Sequence, residues 1–321
     1  MDYLIYFKPI FYAVSIIFLV ALLSGALVRK GVITELDIKS LSHITIYLLL
    51  PCLIFSKIIQ SFKPAEFTYW WLMPLLAFAM IGLGILIASL LYIGKIKENK
   101  ANIAIAAFMN ANYMVLPIGQ LAFPEQFDLF TTYVFLFVLG VNPALWSLGK
   151  YMITSSNGTK LNVRGLLTPP FVANIIAVLI VLIGVHKFIP DYFMKPIDFI
   201  GSAAIPVATI VLGATIGSIS LKKIPPIFDI IKVVSTKLIL LPLLVILILI
   251  NTKLPQINLL LADLLVIQAS VAPATQIIIQ AKKYGGNVQH IGGMMFVTYC
   301  ICMLTIPMWF TFWKYLLENF N

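Results

Sequence analysis

The sequence predicts an all-α integral membrane protein whose ten transmembrane helices form two five-helix repeats inserted in opposite orientations. Three observations predict it. Apolar stretches of spanning length recur along the whole chain, Lys and Arg concentrate in alternate connections, and prolines recur at one interval in the two halves.

Of the 321 residues, 61% are hydrophobic and only 11% charged, with a mean hydropathy of +1.02, far above that of a chain dissolved in water. Ten apolar segments are read at about 10–28, 42–61, 69–93, 102–122, 127–149, 167–187, 197–219, 227–250, 259–281 and 290–313. The first is too long for a signal h-region, and Arg29 and Lys30 follow it rather than precede it, so it reads as a retained span. Aromatic clusters such as Tyr69, Trp70 and Trp71 stand at span ends, where interfacial rings belong.

Connections after odd-numbered spans carry 13 Lys and Arg, and the remaining connections and tails carry 6. The positive-inside rule then sets both termini on the non-cytoplasmic side of the cell membrane. Lys57, Lys232 and Lys237 lie within or near spans and leave that count unaltered. The basic residues form no stripe interleaved with aromatics, so the net charge of +10 points to topology and anionic lipid rather than to nucleic acid. The polar connection at 150–166 divides the chain into a first repeat, 1–149, and a second, 167–321, and is too short for a regulatory domain.

Pro51 and Pro206 are 155 residues apart, and Pro117 and Pro273 are 156 apart. Around the second pair, Asn112 and Gln268 each lie five residues before the proline, and Gln120 and Gln276 each lie three after it. An odd number of spans per half turns the second copy upside down. Proline removes a backbone donor and frees a carbonyl at membrane depth, which is tolerated only inside protein or beside a wet cavity. Amides and hydroxyls surround Pro117 and Pro273, so both read as breaks at a binding site rather than as simple kinks. The half-helix N-termini there favour an anion, most simply a carboxylate. Pro51 and Pro206 lack such surroundings and read as packing kinks.

Other residues carry two readings. Lys57 either meets a substrate anion or snorkels to the interface, and Asp263 is either a proton or cation site or an interfacial cap. Gly213-Ala-Thr-Ile-Gly217 suits close packing, at a dimer seam or within one chain. His43, His186 and His290 sit at span ends, where solvated positions are expected. Cys300 and Cys302 have no nearby His or carboxylate and read as packing thiols rather than a metal site. No hydrolase elbow, zinc-protease pair or Walker loop is present, so neither an enzyme nor an ATP-driven pump is expected, and no cofactor.

Leu27-Val-Arg-Lys-Gly31, Leu41 through Pro51, Asn110 through Gly119, Thr168-Pro-Pro170, Ala204-Ile-Pro206 through Ala214, and Ala272-Pro273 followed by Ala281-Lys-Lys-Tyr-Gly285 carry a resemblance to the auxin efflux carrier family. The resemblance covers nearly the whole length. It implies interrupted helices 4 and 9 crossing at Pro117 and Pro273, a scaffold of spans 1, 2, 6 and 7, and a mobile unit of spans 3–5 and 8–10. It also implies elevator motion, a homodimer and organic-anion substrates, with Asn110 matching the asparagine seven residues before the span 4 proline. The short central connection departs from the plant hormone exporters and resembles the bacterial carriers of small carboxylates such as malate or malonate.

The resulting expectation is a secondary carrier of small organic anions bound by Asn110, Asn112, Gln120, Gln268, Ser270, Gln276 and backbone donors near the two prolines. The alternatives are a sodium-coupled symporter of the bile-acid type and a ligand-binding sensor or channel.

Overall fold

A computed structural model describes residues 3–154, 167–219 and 224–320. Twelve main helices follow one another among these residues. They are α1 Tyr3–Arg29, α2 Glu35–Ser61, α3 Leu72–Leu91, α4 Lys100–Ala107, α5 Val115–Ala122, α6 Pro124–Ile153, α7 Pro169–Ile183, α8 Asp191–Gly217, α9 Ile227–Ile250, α10 Leu259–Ser270, α11 Gln276–Tyr284 and α12 Val288–Phe320. Seven of them, α1, α2, α3, α6, α8, α9 and α12, are long and apolar enough to cross a membrane, and α7 and α10 are shorter apolar helices. The chain is a multi-pass membrane protein. The connection expected at 150–166 lies outside the described residues from 155 onward, as do Lys222 and Lys223.

Helix ends differ from the apolar windows where capping decides them. α2 begins at Glu35, seven residues before the apolar run, because Thr34 and Asp37 form a capping box: Thr34 N–H donates to Asp37 Oδ2 at 2.9 Å, and Asp37 N–H donates to Thr34 Oγ1 at 3.3 Å. Pro51 is accommodated by a π-turn over Thr45–Leu49, which widens the helix where the proline ring would otherwise meet the carbonyl one turn earlier. A second π-turn, Ser235–Leu240, precedes Pro242 in α9. In α8 the helix is interrupted at Ala203, three residues before Pro206.

α1 lies along the second half of α8, while α2 packs on α7 and on the first half of α8; α3 packs on α4 and α6, and α10 packs on α9 and α12. α1 also packs extensively on α12 and touches α5, and α2 also packs on α6. Gly213 and Gly217 serve the α1–α8 seam within the chain. A Cβ on Gly213 would lie 2.3 Å from Ala21 Cα, and one on Gly217 would lie 2.5 Å from Gly25 Cα.

The molecule is most enclosed at its interrupted helices. α10 is buried from Leu260 to Ser270 and α4 from Asn102 to Ala107, on every face. A helix apolar all round belongs in the centre of the bundle, and this burial sets the breaks that follow each of them inside the protein.

Candidate functional site: the crossing of two interrupted helices

α4 ends at Ala107 and α5 begins at Val115; α10 ends at Ser270 and α11 begins at Gln276. Between these ends each segment runs extended for a few residues, and the two meet antiparallel with Met109 opposite Pro273. Asn110 N–H donates to Ala272 O at 2.9 Å, and Ala274 N–H donates to Phe108 O at 3.0 Å. Backbone groups released from two helices thus satisfy each other where lipid and bulk water are absent, the condition under which unwound backbone is tolerated at this depth.

The two prolines play different parts. Pro273 stands in the crossing, but Pro117 does not: Met109 faces Pro273, and Pro117 is the third residue of α5. Proline is accepted in a first helical turn because its missing N–H is one the helix leaves unbonded there. Pro117 therefore marks where the helix restarts, and the expected meeting of the two prolines is corrected to a meeting of Met109 with Pro273.

Side chains lock the crossing. Asn110 Nδ2 donates to the Tyr299 hydroxyl at 2.6 Å, and that hydroxyl donates to Pro273 O at 2.8 Å. Tyr113 N–H donates to Asn110 Oδ1 at 3.1 Å, shaping the turn into α5. Gln268 Nε2 donates to Ala111 O at 3.3 Å. Two amide oxygens, Asn112 Oδ1 and Gln268 Oε1, are buried here without a partner among the described residues. Neither α5 nor α11 has a side-chain N-cap.

The crossing therefore brings together Asn110, Gln268 and Pro273, with Asn112 and the half-buried Gln276 next to them in the chain. Ser270 is turned away, donating to Val266 O of its own helix at 2.7 Å, and Gln120 is exposed on α5. Lys57 is paired with Asp128 at 3.0 Å and with Asp198 at 3.1 Å, which joins α2, α6 and α8. Asp263 is buried and engaged, accepting from Lys314 Nζ at 2.6 Å and from Trp313 Nε1 at 2.8 Å. His290 is half-buried rather than solvated, with Nε2 2.7 Å from Asn102 Oδ1. Cys300 is exposed and Cys302 buried, so the two thiols occupy different surroundings.

Tyr299 escaped the sequence reading because a tyrosine in an apolar span carries no pattern that marks it. Its hydroxyl belongs to the crossing, while its ring lines a cavity of about 380 Å³ shared with Phe18, Ala21, Gly25 and Phe296. The lining is almost wholly apolar, and Arg29 is its one charged residue. Lys237, fully buried in α9, also escaped, although a lysine amid the apolar run 227–250 was a visible signal.

Just past the end of α3, Tyr92 donates to Asp229 Oδ1 of the first turn of α9 at 3.1 Å, beneath Lys232 Nζ, which lies 4.5 Å from the ring centroid. Burial, followed by the Asp229 carboxylate, holds the Tyr92 phenol well above its ordinary pKa.

Sequence comparison places the chain in a known family. Residues 9–163 and 150–310 match the family described as membrane transport protein. Over 304 residues the chain is 24% identical to an uncharacterized transporter of Methanocaldococcus jannaschii, an alignment covering 87% of this chain and 91% of that protein. With the family matched over nearly its whole length, the chain belongs to the auxin efflux carrier family of membrane transport proteins.

Proposed function

We propose that this transporter is a secondary carrier of organic anions, bound beside the crossing by the amides of Asn112, Gln268 and Gln276 near the N-terminal ends of α5 and α11. The observation that carries the reading is the buried pairing of Met109 with Pro273, which brings the starts of two half-helices to a cluster of side-chain amides. Two uncapped helix N-termini at one place favour negative charge. Their dipole ends favour a carboxylate without a full charge fixed in the membrane. The apolar cavity with Arg29 supports an anion with an apolar body over a compact dicarboxylate such as malate or malonate.

The proposed architecture is ten crossings in two inverted repeats, counting α4 with α5 and α10 with α11 as one interrupted span each. Tyr6 donates to Glu318, so the beginning of α1 and the end of α12 lie at one face, which supports an even number of crossings. With the positive-inside count, that face is non-cytoplasmic. The group of α1, α2, α7 and α8 then acts as scaffold in a homodimer, and the remaining helices move past it as an elevator.

Uptake of labelled malate, malonate and indole-3-acetate into proteoliposomes tests this reading. Saturable uptake reduced at least about tenfold by Asn112→Ala or Gln276→Ala is expected, an effect of the size that follows from leaving a buried polar partner unmade. Saturable flux insensitive to both substitutions removes the site. The partnerless oxygens of Asn112 and Gln268 favour one second reading, sodium coupling, since neutral oxygens of this kind suit a hard cation. A sodium gradient that leaves uptake unchanged removes it.

A further inference from the structure

Lys237 lies midway along α9, inside the π-turn Ser235–Leu240. Its side chain is fully enclosed, and Nζ has no hydrogen-bond or ion-pair partner among the described residues. Lysines in membrane helices normally pair or snorkel to the interface, and this one does neither. An ammonium here would have no counter-charge, so the side chain is accommodated as the neutral amine. π-turns recur at working positions of helices, and this one holds an amine where packing alone would select an apolar residue.

The amine stands behind the crossing. α12, which packs on this turn, carries the buried Cys302 thiol. Cys302 Sγ donates to Tyr299 O at 3.1 Å and meets the backbone amide of Ala272, whose carbonyl accepts from Asn110 N–H. The other elements packed on this turn bring no free charge to it. α3 has no titratable side chain, Lys100 of α4 is engaged with Tyr151, and Asp263 of α10 is held by Lys314 and Trp313. Within α9, Asp229 and Lys232 are engaged with Tyr92. Along α12, His290 meets Asn102, Tyr299 is bonded in the crossing, and Glu318 meets Tyr6 at the far end.

We propose that Lys237 is the proton-binding residue that couples this carrier to a pH gradient. Nζ takes one proton from the side where the anion is loaded, ammonium and carboxylate cross together, and both are released on the other side. The ammonium is tolerated at this depth because the carboxylate, held by the amides, is present, so binding of one strengthens binding of the other. The assignment rests on the anion-carrier reading above.

The test uses the full chain in liposomes loaded with the pH dye pyranine, each measurement being set against protein-free liposomes. Labelled malate, malonate and indole-3-acetate are the probes. For whichever is transported, an inward proton gradient is expected to accelerate uptake by about fivefold or more, the usual span of such coupling. The dye is expected to report one proton entering per anion. Lys237→Met, similar in length but without charge, is expected to lose the acceleration while still exchanging labelled for unlabelled anion at equal pH. Acceleration that survives in Lys237→Met overturns the assignment and leaves the carrier reading standing. So does wild-type anion uptake with no proton movement, a result that decides the matter even where the variant does not fold. Absence of uptake and exchange for all three anions overturns both readings.

Discussion

Asn110 and Tyr299, 189 residues apart in the chain, meet at 2.6 Å in the buried centre of the protein, and the same tyrosine hydroxyl donates to Pro273 O. One hydroxyl thereby ties α12 to both unwound segments. It is the most economical place to disturb the crossing without touching its backbone.

Tyr299→Phe removes that hydroxyl and keeps the ring. Asn110 Nδ2 and Pro273 O are then left without this partner in a buried site, at about 1–3 kcal/mol for each orphaned group. A clear fall in the melting temperature of the detergent-solubilised protein is expected, together with reduced uptake. An unchanged melt would count against the network as a determinant of the crossing.

The α1–α8 seam responds to a single methyl group. Gly213→Ala sets a Cβ 2.3 Å from the Ala21 backbone, and separating the helices to admit it costs about 1–3 kcal/mol. Gly82→Ala in α3, where nothing lies within 4 Å of the added carbon, is expected to be neutral or stabilising by up to about 1 kcal/mol, because alanine orders more readily in a helix. Thermal melts of the two variants side by side check the contrast.

Asp263 and Lys314 form a buried pair, with side chains 4% and 14% exposed, so removing one member leaves the other uncompensated. Lys314→Met is expected to cost about 3–5 kcal/mol. Adding Asp263→Asn to that variant is expected to recover most of the loss, since the amide is neutral and still accepts from Trp313. A double-mutant cycle of melting temperatures reads this directly. If Asp263→Asn alone abolishes gradient-driven uptake while the melt is unchanged, the residue carries coupling rather than structure.

Lys57 of α2 links the proposed scaffold to the proposed moving group through Asp128, whose side chain is 54% exposed. Solvent screening keeps the contribution of this contact to stability below about 1 kcal/mol. If the groups slide past one another during transport, the contact must break in each cycle. Asp128→Asn is then expected to leave the melt nearly unchanged and to raise the maximal rate by up to about fivefold, the rate equivalent of about 1 kcal/mol. An unaltered maximal rate would place the ion pair outside the moving interface.

The membrane-embedded character of the chain, the positions of its apolar helices and the break at Pro273 were legible in the sequence, because each depends on local chemistry. Transfer of an apolar stretch into lipid is set by that stretch itself, and a proline interrupts a helix wherever it stands in the interior. The other break was not legible at its true place. Residues 108–114 contain no proline, and the segment is unwound because Phe108 and Asn110 find backbone partners in Ala272 and Ala274. Pro117, which advertised the break, begins the next helix instead. Lys57 offered two sequence readings, and only packing supplied Asp128 and Asp198 from distant helices. Tyr299 is, in sequence, an ordinary member of an apolar run, and Lys237 is a visible charge in another whose surroundings the sequence leaves open. Tertiary structure alone decided that one seals the crossing and that the other lies buried behind it, because hydrogen bonding and desolvation depend on neighbours that the linear order does not reveal.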